Sequence, residues 1–522
     1  MKINTTKNAA RNIAFDGILR VYNMIIPFIM RSIILHYLGV EYLGLSGLFT
    51  SILSFLNLAE LGVGTAMVFS MYKPIAEDDT ATICALMRLY RKFYRIIGLI
   101  IAIVGVALTP FLKVLVHGDV PEGVNLYILY FMNLGSTVLT YWLFAYKNSL
   151  LHAHQRMDVI SKLCLVLYTV QNIVKIFVLV VLKNYYLYLL TQLLSQIAQN
   201  ICTSIIVSRM YPQFSPRGKL PKEKVKDITR RVKDLFTAKF SGVIFSSADT
   251  LVISSFLGLA PLAVYQNYFY IVTALQRILS TVYSAFVAGV GNNLLTQSQE
   301  RNFNNMRKLT LLYIWAVGVF CSVMLCLYQP FITLWVGEEL LLPTSCMFCF
   351  VIYLFTLELT RPLHVYKDAA GIWHRDRFRP LVSAVLNLAL NLSTVRWLGL
   401  YGVLLSSVVA VTVVELPWLI HNIFSEVFPR AMLGTFIKEL ALLFLATMIG
   451  CAGSWLVCGL FSLSPMLSLI VNAAVSFIIS NAAFLLLFGR TELFKESKEQ
   501  VLRLVSGKLK RKAVTDGGTK EE

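Results

Sequence analysis

Long apolar runs separated by short polar segments dominate the chain, and they recur with a fixed spacing. Six runs in the first half lie at about 13–38, 43–71, 93–116, 124–146, 159–182 and 186–208. A shift of 219 residues places each on another run, at 232–257, 262–290, 312–335, 343–365, 378–401 and 405–427. Two more follow at 437–460 and 466–488. A helix needs about 20 mainly apolar residues to cross a bilayer, so the pattern predicts about fourteen transmembrane helices.

The same offset relates individual residues in the two halves. Tyr37-Leu38-Gly39-Val40 aligns with Phe256-Leu257-Gly258-Leu259, and Asn172 aligns with Asn391. These matches support an all-α membrane protein of two six-helix repeats and an added C-terminal helix pair.

The predicted domain organisation follows from this repeat. The first six-helix repeat covers 1–208 and the second covers 236–427, with a cytoplasmic linker at 209–235. The additional pair occupies 437–488, and a basic cytoplasmic tail occupies 489–522.

Composition agrees with a membrane protein. Of the 522 residues, 57% are hydrophobic and 14% are charged, whereas soluble domains carry about 25% charged residues. The net charge of +19 does not indicate nucleic-acid binding, because the charges lie between apolar runs and form no single basic domain.

The basic residues also predict orientation. With the N-terminus placed inside, 40 of the 47 Lys and Arg residues fall in inside segments, including Lys239 near the cytoplasmic end of its run. Three fall in outside segments, and four lie deeper within runs. Cytoplasmic loops collect Lys and Arg, so both termini are predicted to be cytoplasmic. Each repeat has an even number of helices, and the two repeats therefore run parallel.

Motifs for enzymatic or metal chemistry are weak. Cys346 and Cys349 form a C-x-x-C without a second pair, and packing inside a helix explains them better than metal or redox chemistry. His152 and His154 lack partners for a metal site. An integral-membrane glycosyltransferase is disfavoured, because no outer loop is long enough to carry its carboxylates. We therefore expect no catalytic residues, no metal and no enzyme.

Charged residues inside the apolar runs are the candidates for function, because burying one in a bilayer is costly. The candidate substrate-binding cations are Arg20, Arg31, Lys175, Lys239 and Arg277. The candidate ion-coupling acids are Asp16, Glu60 and Asp249.

Helix geometry groups the charges of the first run. At about 100° per residue, Asp16, Arg20, Asn23, Pro27 and Arg31 share one arc of about 80°. Such a face lines either a cavity or a polar contact between helices.

Two interpretations of these charges remain open. They can neutralise one another in a packed bundle, as Glu60 and Arg277 would do at similar depth in equivalent helices. Alternatively, the excess of five cations over three acids indicates a central space for an anion, and guanidinium groups suit phosphate.

The residues also carry a family resemblance. The stretch Phe55–Ala66 (FLNLAELGVGTA), preceded by Leu38–Leu45 (LGVEYLGL), resembles the second-helix signature of polysaccharide-biosynthesis flippases. Gly371, Arg379-Pro380-Leu381 and Asn387 resemble that family's junction between helices 10 and 11. These proteins belong to the multidrug/oligosaccharidyl-lipid/polysaccharide exporter superfamily, which implies a fold like that of multidrug and toxic compound extrusion (MATE) transporters.

The resemblance implies a function and a location. The chain would translocate an undecaprenyl-diphosphate-linked oligosaccharide across the bacterial inner membrane by alternating access, for O-antigen, capsule or exopolysaccharide. It implies the lipid-linked substrate, the membrane and other polysaccharide-assembly proteins as partners, no nucleic acid, and no cofactor beyond H⁺ or Na⁺ as a coupling ion. Basic residues on helices 1 and 8 of such flippases compare with Arg20, Arg31 and Arg277. The alternatives are a peptidoglycan-precursor flippase and a drug/cation antiporter, which would need an acidic cavity.

Overall fold

A computed structural model describes residues 5–60, 62–117, 120–121, 123–461, 464–499 and 502. Side chains are described for these residues except 5–10, 59, 233–239, 241, 246, 282, 284, 285 and 288. The regular elements of this part of the chain are helices, and it contains no strand. The prediction of an all-α protein is therefore confirmed.

The helices of the first half follow the predicted runs. They are α1 (Thr5–Tyr37), α2 (Val40–Leu56), α3 (Val63–Ala76), α4 (Thr80–Leu108), α5 (Leu112–Leu115), α6 (Leu126–Trp142), α7 (Asn148–Ala153), α8 (Met157–Phe177), α9 (Tyr185–Met210) and α10 (Lys222–Phe256).

The second half continues in the same way. Its helices are α11 (Leu259–Thr296), α12 (Gln299–Val336), α13 (Thr344–Leu359), α14 (Arg361–Ala369), α15 (Trp373–Asp376), α16 (Arg379–Leu398), α17 (Leu400–Ala410), α18 (Leu416–Glu426), α19 (Leu433–Cys458) and α20 (Pro465–Phe488). Two π-helical segments interrupt the series, Val178–Leu182 and Val411–Glu415.

Each of the fourteen predicted runs coincides with helix. Within the described residues, nine helical segments are long and apolar enough to cross a membrane, or ten when the bent pair Leu126–Trp142 and Ala145–Ala153 counts as one span. The runs at 186–208, 232–257 and 262–290 are also helical, and the described residues of the run at 43–71 form two helices and a 3₁₀ turn, although these four runs do not pass that stricter test. The chain is thus a multi-pass membrane protein.

The second run differs from the prediction of one continuous helix. It forms α2 and α3, separated by a 3₁₀ turn at Asn57–Glu60. Gly62 has φ +90°, a left-handed conformation that costs glycine little because it has no Cβ. The break therefore follows from local backbone chemistry, and it interrupts the helix next to Glu60.

The second part of the linker is helical. The charged segment beginning at Lys222 is continuous with the following apolar run in α10. Before it, Tyr211–Pro221 connects α9 to α10 without a helix.

Helix α4 begins with a side-chain cap. The Asp79 carboxylate accepts a hydrogen bond of 2.9 Å from the Thr82 backbone N–H. Hydrogen bonds from Thr82 lower the pKa of Asp79, so the cap is ionised at neutral pH and favours the helix N-terminus.

The chain divides into two compact units. Unit 1 comprises the described residues of Met1–Gln266 together with Ala384–Val403. In it, α4 packs on α6, α6 and α8 pack on α9, and α1 packs on α8. Unit 2 comprises the described residues of Asn267–Ser383 and Leu404–Glu522. In it, α12, α19 and α20 pack together.

Candidate functional site

Unit 1 contains a cavity of about 620 Å³ that places Glu60 among aromatic and amide side chains. Its walls come from the α2–α3 break and from α3, α4, α6, α7 and α9. The lining residues include Glu60, Tyr72, Tyr90, Tyr94, Tyr141, Asn148, His152, Gln196, Gln199 and Asn200.

Glu60 reaches this cavity because of the helix break. It is the last residue of the 3₁₀ turn, and Gly64 follows in the first turn of α3. A Cβ on Gly64 would lie 3.1 Å from the Tyr90 hydroxyl and 3.7 Å from the Glu60 carboxylate. The family-like sequence around Glu60 therefore leaves room for the groups that surround its carboxylate.

Tyrosine hydroxyls hold the Glu60 carboxylate. Tyr94 donates to Oε1 at 2.7 Å, and the Tyr141 hydroxyl lies 3.1 Å from Oε2. Tyr90 donates in turn to the Tyr94 hydroxyl at 2.7 Å. Neutral donors thus satisfy this acid, and it forms no ion pair with any residue that the structure describes.

The rest of the lining suits a polar, uncharged ligand. Asn148, Gln196, Gln199 and Asn200 present amide groups, which can both donate and accept hydrogen bonds. Among the described lining residues, Glu60 is the only Asp, Glu, Lys or Arg. Tyrosine faces and amides are a chemistry that can bind sugar hydroxyls, and the carboxylate adds one strong acceptor.

The candidate cations lie elsewhere in the structure. None of those with a described side chain lines this cavity. Arg20 is exposed on α1 and pairs with Asp16 one turn earlier, with its Nε 2.7 Å from a carboxylate oxygen. Arg31 is half-buried, and its Nη2 lies 3.4 Å from the Ala263 carbonyl oxygen. The first run therefore carries one exposed ion pair and one arginine directed at backbone.

Lys175 is buried with only 5% of its surface exposed. Its Nζ donates to Gln192 Oε1 at 3.0 Å and lies 4.3 Å from the centre of the Tyr188 ring. No carboxylate among the described residues forms an ion pair with Lys175. Its environment in α8 and α9 is a neutral one built from an amide and an aromatic face.

The two candidate cations of the second repeat are Arg277 and Lys239. Arg277 on α11 is exposed, and its guanidinium makes no ion pair or hydrogen bond with a residue in the described part of the chain. The Lys239 side chain lies outside the described residues. A guanidinium that is exposed and unpaired within the described residues is available to bind an anion.

Asp249 lies in a second polar group of unit 1. It is 5% exposed on α10, and its Oδ1 accepts from the Asn391 amide at 2.7 Å. Asn391 also donates towards Asn387 Oδ1 at 3.3 Å, and the Tyr265 hydroxyl lies 3.4 Å from Asp249 Oδ2. One carboxylate and two amides in a buried position provide the oxygen ligands that a small hard cation prefers.

Sequence reasoning missed further buried charges in unit 2. Glu358 is 1% exposed and accepts from the Tyr313 hydroxyl at 2.5 Å. Glu415 ends the π-helical segment and lies 3.1 Å from Arg379. Both acids lie inside predicted apolar runs, so the criterion used for Glu60 and Asp249 would have found them if applied to every run.

Arg379 is the centre of a larger ion network. Its guanidinium binds the Asp376 carboxylate through two hydrogen bonds, of 2.8 and 3.0 Å. Lys367 lies 2.7 Å from Asp368 and 3.5 Å from Asp376. These charges neutralise one another, which is the structural interpretation that the sequence left open for buried charges.

The fold and the sequence together define the class of protein. A search of curated proteins finds no match. Residues 9–287, just over half of the chain, match the family described as "Polysaccharide biosynthesis protein". The chain therefore belongs to the polysaccharide biosynthesis protein family, as the motif around Glu60 had indicated.

Solved structures with this fold are membrane transporters and flippases. The lipid II flippase MurJ in an inward closed conformation has a TM-score of 0.62 at 15% identity, covering 91% of this chain and 99% of that one. An inward-facing multidrug resistance MATE family transporter of the MOP superfamily has a TM-score of 0.60 at 16% identity, and the match covers 81% of this chain and 99% of that one. The MATE transporter VcmN of Vibrio cholerae has a TM-score of 0.54 at 14% sequence identity, and the match covers 81% of this chain and 98% of that one. The predicted MATE-like fold is confirmed.

The Glu60 network makes a testable contribution to stability. Glu60→Gln should lower the free energy of unfolding by about 1–2 kcal/mol, because two hydroxyls then face an amide and lose hydrogen bonds to a charged acceptor. The melting temperature of the purified protein in detergent measures this loss. Glu41→Gln, on the preceding helix α2, is the matched control and should melt like the original protein. Equal melting of all three proteins would show that the tyrosine contacts add no stability.

Proposed function

We propose that this protein moves an undecaprenyl-diphosphate-linked oligosaccharide from the cytoplasmic to the outer leaflet of a bacterial inner membrane. The family match over residues 9–287 carries this proposal, because the family acts in polysaccharide biosynthesis and the chain has a transporter fold. Alternating access of the two repeats would expose the bound substrate first to one side and then to the other.

The geometry of unit 1 supports a sugar as part of the substrate. The cavity with Glu60 offers amides and tyrosine rings, which suit hydroxyl-rich rings. In unit 2, Arg277 offers an exposed guanidinium, a group that suits a diphosphate. We propose that Arg20 and Arg31 of unit 1 also bind the anionic part of the substrate. Both termini would be cytoplasmic, and other polysaccharide-assembly proteins would receive the transported unit.

Asp249 is the best candidate for ion coupling. A buried carboxylate beside Asn391 can exchange a proton or Na⁺, and the energy of that exchange can drive transport. Glu60 and Asp16 are weaker candidates, because tyrosine hydroxyls hold Glu60 and Arg20 pairs with Asp16.

A drug/cation antiporter is the second candidate, and one observation favours it. The sole charged lining residue of the described cavity is the acid Glu60, which tyrosine rings surround. A carboxylate among aromatic faces can bind an organic cation. The family match opposes this alternative, because the family acts in polysaccharide biosynthesis.

Deleting the gene in its own bacterium separates the candidates. A glycan flippase predicts that a diphosphate-linked oligosaccharide accumulates on the inner leaflet and that surface polysaccharide falls, with both restored by a plasmid copy. A peptidoglycan-precursor flippase predicts accumulation of that precursor and lysis. Normal glycans together with sensitivity to cationic dyes would contradict our proposal and support the antiporter.

A further inference from the structure

A basic groove lies in unit 1 beside the end of α4 that the charge distribution places on the cytoplasmic side. It encloses about 760 Å³ between α4 and the α9–α10 connection. Arg88, Arg91, Lys92 and Arg95 line it from α4, and Lys219 lines it from the connection. We call this set of five residues the basic groove.

The four α4 residues have helical spacing. Positions i, i+3, i+4 and i+7 lie on one face of a helix, and Arg88 and Arg95 are about 10 Å apart along its axis. The four α4 residues of the basic groove therefore form one continuous cationic strip along the helix.

The cations of the basic groove lack acidic partners in the part of the chain that the structure describes. None of the five forms an ion pair with a residue that the structure describes, and no acid appears among the described residues lining the groove. Like charges at these spacings repel one another. The repulsion is relieved when an anion binds, so the basic groove favours an anionic ligand.

The chain connection forms a fixed wall of the basic groove. Arg88 Nη1 donates to the Gly218 carbonyl at 3.1 Å, and the Ser215 backbone N–H lies 3.4 Å from Cys84 Sγ. Gly218 has φ +83°, a left-handed conformation that favours glycine. Specific contacts thus close the groove on its second side. The preference for Lys and Arg in cytoplasmic loops would account for the charge, but it does not account for these contacts.

The same face of α4 becomes apolar further into the membrane. Leu99 is 51% exposed and Ile103 is 61% exposed, one and two turns beyond Arg95. Trp142 is also exposed, and its Nε1 donates to the Arg95 carbonyl at 3.3 Å, as expected for an aromatic at the membrane interface. A cationic head region followed by an exposed apolar strip matches an amphiphile with an anionic head.

We propose that the basic groove binds the phosphate headgroup of an anionic membrane lipid, with the acyl chains lying along Leu99 and Ile103. Basic pockets between helices near the cytoplasmic interface suit such headgroups, and arginine binds phosphate oxygens through two parallel hydrogen bonds. The apolar strip favours a lipid over a free anion. This site is separate from the Glu60 cavity and does not depend on which substrate the protein transports.

Binding of a fluorescent phosphatidylglycerol to the purified full-length protein in detergent tests the proposal. Replacing Arg88, Lys92 and Arg95 by Gln should weaken binding by about tenfold or more, since each neutralised cation removes an attraction to the head. The matched control replaces Arg209, Lys222 and Lys226 by Gln, which removes the same charge from exposed positions outside the groove. The control should bind within about twofold of the original protein.

Two further measurements make the result decisive. Phosphatidylglycerol should raise the melting temperature of the unaltered protein, whereas phosphatidylcholine, which has no net charge, should not. Inorganic diphosphate should compete poorly. Equal weakening in both triple variants would overturn the site in favour of general surface charge. Equal competition by inorganic diphosphate would overturn the lipid assignment, and an unchanged melting temperature with saturating lipid would overturn binding itself.

Discussion

Replacing Arg277 with alanine should reduce glycan export by about tenfold or more while the protein reaches the membrane in normal amount. A hydrogen bond to a charged group contributes about 1.5–3 kcal/mol, and 1.4 kcal/mol corresponds to a tenfold change. The Arg277 guanidinium is exposed and makes no ion pair or hydrogen bond with the described residues, so its removal leaves no buried charge behind. Export is measured as surface polysaccharide in the deletion strain, and protein amount is measured by immunoblotting of membranes.

Two comparisons separate substrate binding from a general effect of charge at this position. Arg277→Lys should restore export only in part, because lysine keeps the charge but loses the planar fork. Arg301→Ala on α12 is the matched control, since Arg301 is also an exposed arginine of unit 2, and it should export normally. Normal export by Arg277→Ala would contradict the proposed anion site.

Arg20 requires a different design because it already has a partner. Its ion pair with Asp16 is exposed, and exposed pairs contribute about 0–1 kcal/mol to stability. If the arginine serves the substrate, Arg20→Ala and the double variant with Asp16→Asn should both lose export. Recovery in the double variant would instead assign the pair to mutual neutralisation, the interpretation that the sequence had left open.

Asp249→Asn should lower transport by about tenfold or more and abolish its dependence on the coupling ion. Asparagine has nearly the same shape as aspartate, so the contact with Asn391 can persist, but it carries no charge for a proton or Na⁺ to neutralise. Removing one partner from a buried charged contact costs several kcal/mol when a charge is left unpaired, and here the charge itself is removed. The loss should therefore fall on transport more than on folding.

Sodium binding and transport at several pH values measure the effect of Asp249→Asn. The purified variant should bind radioactive sodium no better than background if Na⁺ is the ion, or its export should no longer vary with pH if the ion is H⁺. Glu60→Gln is the matched carboxylate control and should keep the ion dependence. An Asp249→Asn variant with full transport and unchanged ion dependence would assign a structural role to Asp249.

The membrane-spanning pattern was readable from the sequence because the bilayer imposes a local rule. A run of about 20 apolar residues is helical in lipid whatever it later packs against, since its backbone must satisfy its own hydrogen bonds there. The fourteen runs, the repeat and the family motif all followed from such local information. The break at Gly62 was less accessible, because the runs at 43–56 and 63–71 are apolar on both sides of it.

The surroundings of the candidate residues were decided by tertiary structure. Glu60 is 34 residues from Tyr94 and 81 from Tyr141, and Asp249 is 142 residues from Asn391. Nothing local distinguishes these tyrosines from others in apolar runs, although the repeat had paired Asn391 with Asn172.

The sequence by itself therefore determined the class of protein, the family and the helices, because each rests on local hydrophobicity or a contiguous motif. Only the tertiary structure decided that Glu60 is held by tyrosines, that Lys175 has a neutral environment, and that Arg379 is neutralised while Arg277 is exposed. These differences depend on which helix faces meet. Packing between helices sets those faces, and hydropathy carries little information about them.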